Sequence, residues 1–160
     1  MTVDILTFQV GRHRYALNVA DVHAVLRATS IVPLPRAPSV IQGVIDYRGE
    51  IIPVFDLRAR FGAPRRPVQV DEHFVMVRAR SRLVALRMDS AIDVAQIDER
   101  SVQPIGDVVP RTEYVAGLAS LPDGIVLIVD AHDFLSESET ALLDEAMTAS
   151  ANELPALAPE

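Results

Sequence analysis

The chain has 160 residues, 49% of them hydrophobic, and a formal net charge of −7; that is enough apolar material for one packed domain or two very small ones, and it argues against overall disorder. It contains no cysteine, and all fifteen basic residues are arginine, which excludes disulfides, thiolate metal sites, cysteine nucleophiles, lysine Schiff bases and the phosphate-binding Gly-x-x-x-x-Gly-Lys loop. The acidic total also argues against nucleic acid as a main partner, because phosphate binding needs a clustered basic surface.

The opening Met1-Thr2-Val3-Asp4 lacks the basic region and apolar run of a signal peptide. No stretch reaches the ~18 consecutive apolar residues of a membrane span. Leu6, Phe8 and Val10 alternate with Thr7 and Gln9, which predicts a strand. Gly11-Arg12-His13 reads as a tight turn, and Tyr15, Leu17 and Val19 run back. A second hairpin joins Gly43–Tyr47 to Ile51–Phe55 through Arg48-Gly49-Glu50. Short strands with closely spaced turns, and eleven prolines that spoil long helices, point to a β barrel or sandwich.

The second half resembles the first. Phe74–Ala79, a turn at Ser81-Arg82, and Leu83–Met88 repeat the opening hairpin. Ala16-Leu17 matches Ala85-Leu86, and Val25 matches Val94, at a separation of 69. Gly43 then matches Gly117, Ile51 matches Ile125 and Asp56 matches Asp130, at a separation of 74. Pro122-Asp123-Gly124 sits where Tyr47-Arg48-Gly49-Glu50 sits earlier. The pattern reads as two similar β units, about 4–62 and 73–135, joined at Gly62–Pro67; chance similarity between apolar strands is the alternative. Ser136 with Glu139 three residues later is a capping box. Leu142, Leu143, Ala146 and Met147 continue it as a helical stripe over about 137–147, expected to dock on a barrel. From Thr148 the Ala, Glu and Pro content predicts a flexible tail, 148–160.

Candidate chemistry is sparse. His13, His23, His73 and His132 are scattered, without helical ligand spacing. Asp71-Glu72-His73 reads as a solvated loop before it reads as part of a metal site, and Asp98-Glu99 and Asp144-Glu145 read as surface charge. No catalytic residue, metal or cofactor is expected. Arg48 is more informative, since a guanidinium on a stiff hairpin tip suits recognition of a carboxylate. Taken alone it reads first as a solvated turn residue beside an enabling Gly49. Charge is uneven: nine Arg against five acids in 1–66, six against seventeen in 67–160. That asymmetry fits two different partners, or a surface whose charge simply drifts.

The run Gly43-Val44-Ile45-Asp46-Tyr47-Arg48-Gly49, followed by Ile51-Ile52-Pro53 and Asp56-Leu57-Arg58, resembles the CheW family. That family's hallmark is Gly-Val-(Ile/Thr)-Asn-Leu-Arg-Gly, a hydrophobic pair, Pro, and Asp-Leu-Arg. Phe8-Gln9-Val10-Gly11 through Tyr15-Ala16-Leu17, Thr112–Leu118 and Ala141-Leu142-Leu143-Asp144 resemble further family segments in order, so the resemblance covers about 4–147. It implies a mainly β fold, two small five-stranded β-barrels packed together with a C-terminal helix, forming one domain over 1–147. It implies a cytoplasmic, non-catalytic adaptor, recruited to membrane-associated arrays. Such a protein couples the cytoplasmic tip of a chemoreceptor to the regulatory domain of the CheA histidine kinase, with the receptor tip in an apolar groove between the barrels. A related adaptor for a non-motility or pilus-motility pathway, with a different kinase, is the alternative.

Carried over by position, Val22, Ala24, Gly43, Arg48 and Gly49 fall on the receptor side, and Gln103 and Val108 on a kinase-facing region of the second barrel. The chain departs from the family at Ala24, where an acid is frequent, and at Asp46-Tyr47, where Asn-Leu is usual. Asp46 is placed to pair with Arg48 or another nearby Arg.

Overall fold

The computed structural model describes residues 1–64, 67–69, 71–79, 82–89, 93–104 and 115–153. Among the described residues, eleven strands and two α-helices follow one another: β1 (Thr2–Val10), β2 (His13–Asn18), β3 (Val22–Arg27), β4 (Ile41–Tyr47), β5 (Glu50–Asp56), α1 (Leu57–Arg60), β6 (His73–Ala79), β7 (Arg82–Met88), β8 (Asp93–Asp98), β9 (Gln103–Pro104), β10 (Val115–Leu121), β11 (Gly124–Val129) and α2 (Glu137–Glu153). No helix among the described residues is long and apolar enough to cross a membrane.

The predicted hairpins form where the alternation placed them. β1 pairs antiparallel with β2, β4 with β5, β6 with β7 and β10 with β11. Leu6, Phe8 and Val10 of β1 are buried, as the alternation predicts. Thr7, on the face read as polar, is buried too, and its hydroxyl donates to the Asp93 carbonyl at 3.2 Å. A buried hydroxyl needs such a partner. β1 is therefore covered on both faces, which a period-two pattern with a threonine in it does not disclose.

The strands assemble into a six-stranded sheet, β8-β1-β2-β11-β10-β9, and a five-stranded sheet, β3-β6-β7-β5-β4. The expected pair of five-stranded units thus gains a sixth, two-residue strand on one side. The boundaries 4–62 and 73–135 need a larger correction, because neither sheet follows them. The first hairpin, β1–β2, lies in the six-stranded sheet among strands of the second segment, and β6–β7 lies in the five-stranded sheet among strands of the first. Each segment leaves the edges of its opening hairpin free and fills the edges of the other's. The parallel pairings that close this exchange are equivalent: Val54 faces Ala85, and Ile128 faces Ala16. Those positions are related by the same separations of 74 and 69 found in the sequence.

The exchange explains the core. Ile5, Ala16, Ile97, Ala119 and Val126 form a cluster belonging to the six-stranded sheet. Ile45, Ile52, Val54, Phe74, Met76 and Ala85 form the counterpart in the five-stranded sheet. The opposite faces of the same strands meet in a larger shared cluster that includes Leu6, Phe8, Leu17, Phe55, Val75, Val77 and Leu86. Within it, Tyr15 stacks on Phe61 at 4.2 Å between ring centroids, and Phe134 lies 5.6 Å from Phe55. Each fully buried side chain of this kind contributes about 1.5–3 kcal/mol. Arg58 adds a polar tie, its Nε and Nη2 donating to Asp89 at 2.9 Å each, while Asp89 also accepts the Gly11 amide at 3.0 Å.

The C-terminal helix starts at the predicted cap. The Glu139 amide donates to Ser136 Oγ at 3.1 Å and the Ser136 amide donates to Glu139 Oε1 at 2.9 Å. Leu143 and Ala146 of its stripe are buried, whereas Leu142 is exposed. The helix runs to Glu153, six residues beyond the expected end at 147. Ala, Thr and Ser without a proline do not stop a helix, so the first part of the predicted tail continues it.

Candidate functional site

Arg48 and Gly49 form the whole loop between β4 and β5, since Tyr47 and Glu50 are already paired. Both loop residues have positive φ, 52° and 85°. That is the turn whose twist matches a hairpin, and it favours glycine at its second position. An arginine in this conformation costs about 1–2 kcal/mol, so something must hold it there. The Asp46 carboxylate accepts the Gly49 amide at 2.9 Å across the turn. The Arg48 guanidinium lies over the Tyr47 ring, 5.2 Å from its centroid. Asp46 is thus bonded to the turn backbone, and two of the three residues that depart from the family pattern, Asp46 and Tyr47, are the ones that brace the loop. Arg48, Gly49 and Glu50 are exposed, while Tyr47 is half-buried and packs on the cluster of the five-stranded sheet.

The other expected receptor-side residues lie on the two edge strands of the same sheet. Val22 and Ala24 belong to β3, where the register shifts between them. The shift, at His23, sends Val22 to the shared cluster and Ala24 to the sheet's own cluster, so they do not share one strand face. Gly43 is buried in β4. A Cβ there would lie 2.2 Å from the Val32 carbonyl oxygen, because residue 32 bonds across to Val44 in both directions, at 2.9 and 2.8 Å. Gly43 therefore acts on the site through the backbone that carries the turn. Gly117 has the same place in β10, where a Cβ would lie 2.8 Å from the Gln103 carbonyl.

Two depressions lie beside these residues, and of them Val22 lines one. One, of about 310 Å³, is lined by Val22, His23, Arg78, Leu83 and His132 among others. The second, of about 350 Å³, is lined by Glu50, Arg78, Arg82, Leu83 and Asp144. Arg78 and Leu83, from the β6–β7 hairpin, belong to both, so one continuous surface runs from the β3 edge to the strand that follows Arg48-Gly49. It is more polar than the apolar groove that the resemblance implies: charged and histidine side chains outnumber Val22 and Leu83 along it. Apolar relief comes instead from Ala24, Leu26, Tyr47 and Leu83, half-buried around the cluster of the five-stranded sheet. Gln103 stands apart on β9, exposed at the edge of the six-stranded sheet. Val108 lies outside the described residues.

Several acidic groups have structural duties. Asp56 and Asp130, matched in the sequence, each accept the amide two residues on, from Arg58 and His132 at 3.0 Å. Glu72, read as part of a solvated loop, is buried and accepts Arg87 Nε at 3.0 Å, while Arg87 Nη1 donates to Gln42. Asp144 pairs with Arg82 at 2.7 Å, tying α2 to β7. No three His, Asp or Glu side chains among the described residues are grouped to hold a metal ion. The sequence reading missed Arg58 and Arg87, and only the Asp-Leu-Arg run that contains Arg58 marked either of them.

Comparison with known proteins adds a family. The CheW-like domain matches residues 4–139. The chemotaxis protein CheW of Klebsiella aerogenes is 29% identical over 145 residues, covering 88% of this chain and 86% of the relative. The chemotaxis protein CheW of Rhizobium meliloti is 25% identical over 138 residues, covering 85% and 89%. Among solved structures, the scaffolding protein TtCheW from Thermoanaerobacter tengcongensis superposes with a TM-score of 0.78 at 33% identity, over 87% of this chain and 96% of that one.

Proposed function

The chain belongs to the CheW-like domain family, and from that membership we propose that it is a non-catalytic adaptor coupling chemoreceptors to the CheA histidine kinase in a bacterial chemosensory array. The observation that carries this reading is the match across residues 4–139, which includes the Arg48–Gly49 turn. The adaptor works in the cytoplasm, with residues 1 through α2 acting as one unit. It positions partners and transfers no group itself. Arg48, presented by a braced hairpin, contacts the receptor, together with the surface that runs past Val22, Arg78 and Leu83. The exposed edge at Gln103 faces the kinase. Each contact is modest, and clustering of many adaptors in an array raises the effective concentration enough for stable assembly.

Calorimetric titration of the chain into the isolated regulatory domain of its cognate CheA tests the reading. Saturable one-to-one binding is expected. Absence of heat at high micromolar concentration, with both proteins folded, rejects CheA as the partner. Arg48→Ala addresses the receptor side: coupling to the receptor tip weakens while the melting temperature stays near that of the wild type, since an exposed turn tip carries little of the stability. A large drop in melting temperature would instead make Arg48 a folding residue.

A further inference from the structure

We propose that Tyr47 is a positioning residue which holds the Arg48 guanidinium over its ring, and so presents it in advance to a partner carboxylate. The inference rests on the reading that Arg48 touches the partner. Arg48 is one of only two non-glycine residues at positive φ among those described, so its backbone direction is unusual and set by the turn. That turn is closed from outside by the Asp46 carboxylate on the Gly49 amide. Its side chain is held from below by a ring 5.2 Å away. The ring is itself half-buried against the cluster of the five-stranded sheet, and it is paired in register with Glu50. It therefore offers a fixed platform.

A guanidinium lying on an aromatic ring uses one π face for that contact and keeps its N–H donors in the plane. A carboxylate takes two of those donors side by side, also in the plane. The ring contact and recognition are thus compatible, and the contact biases the side-chain rotamer before the partner arrives. A long side chain ordered in advance loses less freedom on binding. Asp46, by contrast, spends its carboxylate on the backbone amide, so its charge is not what directs the guanidinium.

The experiment is a double-mutant cycle with Tyr47→Leu and Arg48→Ala, plus Tyr47→Phe and Asp46→Asn. Each protein is titrated with the cytoplasmic tip fragment of the cognate chemoreceptor. Arg48 side-chain resonances are recorded on the free proteins, where the ring below shifts them upfield. Tyr47→Leu is expected to abolish that upfield shift and weaken binding about three- to fivefold, and to have no further effect once Arg48 is alanine. Tyr47→Phe keeps the ring and should keep both readouts, as should Asp46→Asn, which still accepts the Gly49 amide. Unchanged Arg48 resonances in Tyr47→Leu overturn the proposal, and so does an equal loss of affinity with and without Arg48. If Arg48→Ala binds like the wild type, the reading beneath the proposal fails, and the intact upfield shift in the wild type would show that the stacking survives it.

Discussion

Phe8 is 1% exposed and stacks on Tyr15, at 5.8 Å between ring centroids, so Phe8→Ala is expected to cost about 3–5 kcal/mol in urea unfolding. A loss under about 1 kcal/mol would place the ring outside the core. The glycines around the candidate site separate two physical causes. Gly43 has ordinary backbone angles but no room, with the Val32 carbonyl 2.2 Å from any Cβ. Gly49 has room on every side but a φ of 85°. Gly43→Ala should therefore cost about 1–3 kcal/mol through displacement of the crossing segment, and Gly43→Asn more. Gly49→Ala should cost about 1–2 kcal/mol through backbone strain, and Gly49→Asn less, because asparagine tolerates the left-handed region. Opposite rankings of Ala and Asn at the two positions, measured by chemical denaturation, are the signature; the same ranking at both would refute the distinction.

At the level of elements, α2 is fastened by Arg60 to Glu139 at 2.6 Å and by Arg82 to Asp144. Burial pushes the Glu139 carboxyl up, but the Arg60 guanidinium and the Ser136 amide and hydroxyl together outweigh it and hold the group below its usual range. A depressed carboxyl stabilises the fold fully above the unfolded pKa, about 4.3, and loses that contribution as pH falls through the lower folded value. Wild type should melt above Glu139→Gln at neutral pH, and the gap should close below about pH 4. A gap independent of pH would assign the stabilisation to packing alone. The cap of this helix was legible because Ser136 and Glu139 lie three residues apart. The four hairpins were legible too, since alternation and turn residues are local. The edge partners of those hairpins were not, because a period of two says which face is buried and nothing about which strand lies alongside. Arg58 and Asp89 meet from 31 positions apart, and Arg87 finds Glu72 across two strands; no local pattern announces either pair. In the candidate site, the turn was legible as Arg48-Gly49-Glu50, but pairing of Glu50 with Tyr47 shortens it to two residues and puts Arg48 at positive φ, and neither that nor the bulge that turns Val22 away from Ala24 left a mark in the composition of the strands.

For the whole molecule, the exchange of hairpins means that neither sheet can be completed by one sequence segment. Residues 1–64 and 71–160, produced separately, should each lack a cooperative thermal transition, and mixing them should restore strand signal in circular dichroism. An independent cooperative melt from either piece would show that a segment closes its own sheet. The asymmetry between the equivalent hairpins also becomes meaningful at this scale. Where one tip carries Arg48, its counterpart carries Asp123, whose carboxyl is lowered by a hydrogen bond from Arg14. The two equivalent tips thus carry opposite charge. A reciprocal trade of hairpins has a further consequence. Two separate copies of a half-length ancestor could build the same architecture across a twofold axis, as a homodimer whose survival would depend on dilution. Joining such copies through a linker like Gly62–Pro67 would turn that bimolecular event into a unimolecular one, and would free the two halves to diverge within a single gene.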